Sequence, residues 1–365
     1  MVRKQDQIRG CLLGAAAGDA MGYCVKELSP EEIQEKYGPQ GLQGYDTYNG
    51  YAPISSHTQM AMFTANGLLF GATRGALRGV MAPYVNYLEA FYRDWADTQR
   101  SRKAQGRPFA WLSCLEELHS RRAPDNTVLY ALEQPRAGTM DEPINRSRGP
   151  SGLTRCMPIG LFLNPRETGR EEIALLGAES AALTQGDPLG FLPAAVLADL
   201  INRIVYDRPD SFRSALHKSI SAVNRQFSMK YRQLSSLWEL LYRAEELADK
   251  GTPPWEALAA LSSSDAPGVL AGACYVCLKF PGDFDRGIVA AVNHGGDSAA
   301  TGAVAGGLLG AMLGTEGIPE FYLEPLELRG ILEELADDLF QGCPMSRDPN
   351  LFDDQWDQKY IQRTY

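Results

Sequence analysis

Apolar residues recur at three- and four-residue intervals along most of the chain, so that each such stretch presents one continuous apolar face. The spacing predicts helices over 5–21, 58–74, 80–100, 169–184, 188–206, 210–225, 229–250, 267–279, 283–292, 298–313 and 325–341. Alternating apolar and polar runs are almost absent. The one Asn-Gly turn, "YNGY" at 48–51, falls in a loop. The pattern predicts an all-α fold, a large single-domain multi-helix assembly rather than a four-helix bundle.

Two of these helices are unusual. "GCLLGAAAGDAMG" at 10–22 and "TGAVAGGLLGAMLG" at 301–314 are dense in Gly and Ala. Such residues weaken an isolated helix but let two helices approach closely. The pair is expected to pack together at the centre, with its loop ends forming one site. The longest irregular stretch, 134–154, has the length of an ordered binding loop. Residues 1–343 are expected to form one domain, and 344–365 a polar, aromatic tail acting as a loose arm or an interface.

Composition narrows the function. The 365 residues are 44% hydrophobic and 22% charged, with a formal net charge of -10. An acidic chain does not suit a broad nucleic-acid surface, which needs excess Lys and Arg. A local pocket for a small anion remains compatible with it. The polar start "MVRKQDQIRG" does not resemble a signal peptide, and no run reaches ~18 uninterrupted apolar residues. No membrane span and a cytoplasmic, reducing location are expected. The seven cysteines are scattered; Cys274 and Cys277 are expected to be buried on one helix face, since no second ligand pair is spaced for zinc.

Four segments carry candidate chemistry. "GDAMGYCVKE" at 18–27 holds Asp19, costly to bury in an apolar helix unless bonded, followed by Lys26 and Glu27. "ISSHTQMAMF" at 54–63 places Ser55, Ser56 and Thr58 as helix caps around His57. In "SRGPSGLTRC" at 147–156, Ser147, Gly149, Ser151, Gly152 and Arg155 form a Ser/Gly loop suited to an anion. "NHGGDS" at 293–298 sets Asn293, Gly295, Gly296, Asp297 and Ser298 ahead of the second small-residue helix.

Together with "GAESAALTQGDPLGF" at 177–191, these segments resemble, in order and spacing, the ADP-ribosylglycohydrolases over about residues 5–342. The resemblance implies an all-α fold with a central cleft. It also implies two Mg²⁺ ions and hydrolysis of the glycosidic bond between ADP-ribose and an acceptor side chain. In that family the metals are held by a Thr-Asp-Asp-Thr loop, a Gly-Asp-Ser-Asp-Ser/Thr loop and a glutamate after the first motif. Magnesium asks for such hard oxygen donors, chiefly carboxylates.

This chain departs from the pattern at the metal positions. Thr-Asp-Asp-Thr falls on Ser55, Ser56, His57 and Thr58. Gly-Asp-Ser-Asp-Ser falls on Gly296, Asp297, Ser298, Ala299 and Ala300. The glutamate falls on Lys26, one residue before Glu27. Of five expected carboxylates only Asp297 stays in register, so the metal donors reduce to Asp297 and Ser55, and Mg²⁺ is expected to be absent or reduced. Gln185 and Asp187 replace two histidines common in relatives, with Asp187 placed to cap the helix starting at Pro188.

Lys26 is expected to pair with Asp297 and supply part of the missing positive charge. The leading expectation is a protein that binds ADP-ribose, or an ADP-ribosylated protein, without two-metal hydrolysis. A second is a hydrolase of altered metal dependence using Asp297 or Glu27 as base, with His57 moving a proton. A third is a non-enzymatic scaffold.

Overall fold

The computed structural model describes residues 4–26, 28–104 and 106–364. Their helices are α1 (Lys4–Tyr23), α2 (Pro30–Tyr37), α3 (Ser56–Arg78), α4 (Tyr84–Thr98), α5 (Asn126–Glu133), α6 (Ser151–Thr154), α7 (Met157–Phe162), α8 (Arg170–Ala182) and α9 (Pro188–Asp207). They continue as α10 (Phe212–Phe227), α11 (Leu234–Asp249), α12 (Pro254–Ala260), α13 (Ala266–Lys279), α14 (Phe284–Val292), α15 (Ser298–Leu313), α16 (Glu320–Leu323), α17 (Arg329–Gln341) and α18 (Asp354–Asp357). Among the described residues there is no strand, only isolated bridges between Tyr48 and Tyr51 and between Ala52 and Leu326. The all-α expectation holds.

The centre is an antiparallel crossing of α1 and α15. A methyl built on Gly10, Gly14, Gly18 or Gly22 would come within 2.3, 2.3, 2.0 or 2.2 Å of the carbonyl oxygens of Gly310, Gly306, Gly302 and Ser298. No side chain fits between the two backbones. Glycine every fourth residue on both helices aligns these contacts on facing ridges. The C-terminal end of α1 therefore lies against the N-terminal end of α15, and the turns there, 24–26 and 293–297, are brought side by side.

Among the short helices that periodicity does not predict are α2, α5 and α12. Each begins on strong start chemistry: a capping box from Ser29 to Glu32, an Asp125 cap, and Pro254 in the first turn. Eight residues or fewer are too short to show a period. Helix α4 starts at Tyr84 rather than 80 because Pro83 precedes it.

Among the described residues one helix, Pro188–Asp207, is long and apolar enough to cross a membrane, and 94% of its most apolar 18-residue window is buried inside the fold. Its apolarity serves the core. The tail is not a loose arm. Trp356 donates from Nε1 to Thr73 Oγ1 on α3 at 2.8 Å, and Lys359 reaches Glu334 at 2.6 Å and also Asp338 on α17. Trp356 and Tyr360 are buried.

Candidate functional site

Asp19 organises the site from below. It lies near the end of α1, fully buried, and accepts four hydrogen bonds from the start of α3. These come from Ser55 N at 2.9 Å, Ser55 Oγ at 2.5 Å, Thr58 N at 3.2 Å and Thr58 Oγ1 at 2.5 Å. A carboxylate at a helix N-terminus satisfies otherwise orphaned N–H groups and meets the positive end of the helix dipole. Ser55 caps the same turn by accepting from His57 N at 3.1 Å. The helix start is thereby clamped against α1, and His57 is aimed at the head of α15.

There His57 meets Asp297. Its Nδ1 lies 2.9 Å from Thr154 Oγ1, and its Nε2 3.6 Å from Asp297 Oδ2. Lys26 Nζ lies 3.6 Å from the same oxygen. Both separations lie just beyond hydrogen-bonding distance. Asp297 also caps α15, accepting from Ala300 N at 3.0 Å. Burial pushes its carboxyl up, but His57, Lys26 and the Ala300 N–H outweigh that and hold it below the usual carboxylate range. Asp297 is therefore anionic across the physiological range.

Two further segments close around this group. Asp297 N donates to Ser263 O at 2.8 Å, and Ala266 N donates to Arg148 O at 2.8 Å. The 263–266 turn thus ties the 293–297 turn to the Ser/Gly loop. Within the late turn, Gly296 N donates to His294 Nδ1 at 2.9 Å. Burial drives the His294 pKa down to about 4, against the pull of Asp297 and the Ala291 backbone, so the ring stays a neutral acceptor.

A model of the ADP-ribosylglycohydrolase family matches residues 1–349. The chain belongs to the ADP-ribosylglycohydrolase family. It is 25% identical over 342 residues to an uncharacterized protein of Archaeoglobus fulgidus, covering 92% of this chain and 97% of that one. Its fold is similar to a solved structure described as an ADP-ribosylglycohydrolase-related protein complex. That match has a TM-score of 0.59 at 23% identity and covers 93% of this chain and 99% of the other.

The described residues do not fit the two magnesium ions that the family pattern implies. Among the described residues no group of three or more His, Cys, Asp or Glu side chains is placed to hold a metal. Ser55 Oγ is engaged by Asp19, Ala299 and Ala300 offer no side-chain oxygen, and an ammonium stands beside Asp297. Glu27 lies outside the described residues.

The expected ligand contacts of this ADP-ribosylglycohydrolase-family chain divide into two groups. Lys26, His57, Asp297, Gly296 and Ser298 converge as above, Ser298 donating to His294 O at 3.2 Å. Ser147 and Gly149 form the bend beside them, Gly149 N donating to Ser147 Oγ at 3.1 Å. Gly295 is exposed at the tip of the late turn. Ser151 and Gly152 are buried in α6, where a methyl on Gly152 would come within 2.7 Å of Ala181 Cβ.

Two of the expected residues are engaged by other partners in the structure. Arg155 is fully buried, with its guanidinium 4.2 Å over the Tyr92 ring and donating to Ser180 O at 2.5 Å, so it stiffens the core instead of facing a ligand. Asn293 accepts from Leu42 N at 2.7 Å and donates to Leu42 O and Val289 O, which makes it a clamp on the 38–42 loop. Arg148, not Arg155, is the exposed cation of the loop, 3.1 Å from Asp187. Asp187 caps α9 through Leu189 N. Thr154 and Ser263 were missed, because their roles rest on partners more than 30 residues away.

Proposed function

We propose that this chain binds ADP-ribose, free or carried on a modified protein, without the two-metal hydrolysis of its family. The observation that carries the reading is the Lys26 ammonium 3.6 Å from Asp297. Where the family pattern has a glutamate, this chain holds a fixed positive charge, partly buried and paired with the one retained acid. A buried ammonium attracts a diphosphate more strongly than a solvated one, since the local dielectric is low. Arg148 adds a second, more exposed cation on the neighbouring loop.

The seven cysteines are free thiols, which agrees with a reducing, cytoplasmic setting. Isothermal calorimetry with ADP-ribose, with and without Mg²⁺, tests the proposal. Binding of equal strength in both conditions is expected. Absence of binding, strong enhancement by Mg²⁺, or release of ADP-ribose from modified arginine or serine peptides that Asp297→Ala abolishes would each overturn it.

A further inference from the structure

A cavity of about 470 Å³ is lined in part by residues 137–141 of the 134–154 segment and by none of Lys26, His57 or Asp297. It is bounded by α4, α8, the end of α10 and residues 137–141, the same irregular segment that leads on to Ser147. Leu175, Leu183, Phe227 and Tyr231 make much of its wall apolar. Its size is that of a small-molecule site.

Three carboxylates and one cation also line it. Two of the acids are matched: Glu89 receives Arg93 at 2.8 Å, and Asp141 receives Lys230. The third, Glu179, has neither an ion pair nor a side-chain hydrogen bond among the described residues. Its carboxyl is pushed above the usual range by burial alone, with no charged neighbour acting on it. A carboxylate left half-buried on an apolar wall pays for desolvation without a partner. At the rim a cation already lies against an aromatic face, Lys230 sitting 5.3 Å over the Tyr231 ring.

We propose that this cavity is a second binding site, for a monocationic guanidinium or ammonium group on an apolar stem, with Glu179 as its counter-ion. The cation pairs with Glu179 while its stem lies along Leu175, Leu183 and Phe227. The chemistry is shared by a small free cation and by a basic side chain of another polypeptide.

Butylguanidinium, its neutral isostere butylurea, and acetyl-Gly-Arg-Gly-amide separate these outcomes by calorimetry on the full chain. Butylguanidinium is expected to bind wild type, and Glu179→Gln to weaken it at least tenfold while leaving ADP-ribose binding unchanged. Tighter binding of the peptide than of butylguanidinium assigns the site to a polypeptide side chain; the reverse assigns it to a free cation. Equal binding of butylurea, equal binding by Glu179→Gln, or no binding of either cation overturns the proposal. None of these results depends on the site around Asp297.

Discussion

Lys26 Nζ stands 3.6 Å from Asp297 Oδ2 because α1 ends where α15 begins. A methyl on Gly22 would meet Ser298 O at 2.2 Å, and Lys26 follows four residues later, in the turn after α1. Lys26→Met is expected to weaken ADP-ribose at least tenfold, roughly 1.4 kcal/mol, as the fixed cation is lost. Lys26→Glu is expected to convert the site to one that gains thermal stability on adding Mg²⁺, a response wild type lacks. Calorimetry and melting curves read both; unchanged affinity in Lys26→Met would contradict the role given to the ammonium.

Asp19→Asn retains the shape but only one acceptor oxygen for four donors. The expected cost is about 3 kcal/mol, the range for leaving buried donors unmatched at a charged brace. Urea midpoints measure it. ADP-ribose affinity is expected to fall as well, because His57 rides on the turn that Asp19 holds.

At the crossing, Gly18→Ala forces a methyl to within 2.0 Å of the Gly302 carbonyl oxygen. The backbones must part, costing about 3 kcal/mol or more. Gly330→Ala on α17, where nothing lies within 4 Å, is expected to be neutral or to stabilise by up to about 1 kcal/mol. Similar losses in both variants would show that the close approach is not what makes Gly18 necessary.

His294 supplies a pH dependence. Its folded pKa of about 4 lies below the ordinary 6.5, so between these values the unfolded chain binds the extra proton. The contribution is present above pH 6.5 and is lost as pH falls towards 4, by at most roughly 3 kcal/mol. Protonation also removes the acceptor for Gly296 N–H. Melting temperatures from pH 7 to 4.5 should fall more steeply in wild type than in His294→Gln, whose side-chain oxygen still accepts; parallel curves would refute the assignment.

Trp356→Ala removes the Thr73 hydrogen bond and a buried ring stacked 4.5 Å from Tyr360. A loss of about 3 kcal/mol is expected, as for other buried aromatic truncations. A change below roughly 0.5 kcal/mol, the scatter of exposed-surface substitutions, would return the tail to the status of a loose arm.

What was legible in the sequence was whatever a local pattern encodes. The small-residue spacing of α1 and α15 announced their contact, and that contact placed Lys26 beside Asp297. Asp19, an acid in an apolar helix, required a partner and found one. What stayed hidden depended on distant neighbours. Arg155 in a Ser/Gly loop has the makings of an anion ligand until Tyr92 and the Ser180 carbonyl claim it. Asn293 looked free until Leu42 arrived from 251 residues away. The tail's seat on α3 and α17 has no local signature, since its aromatic and basic residues are equally at home in solvent.

The glycine-to-carbonyl seam has one more implication. It admits no substitution larger than hydrogen at its closest points, and the late turn is held as tightly at Gly296, where a methyl would come within 2.1 Å of Ser263 O, whereas position 26 carries a long side chain. Exchanging an acid for an amine at position 26 alters the electrostatics of the pocket without moving its walls. Architecture and charge are in this way partly separable: the seam fixes where the two turns meet, and the side chain at position 26 sets the sign of the charge placed there.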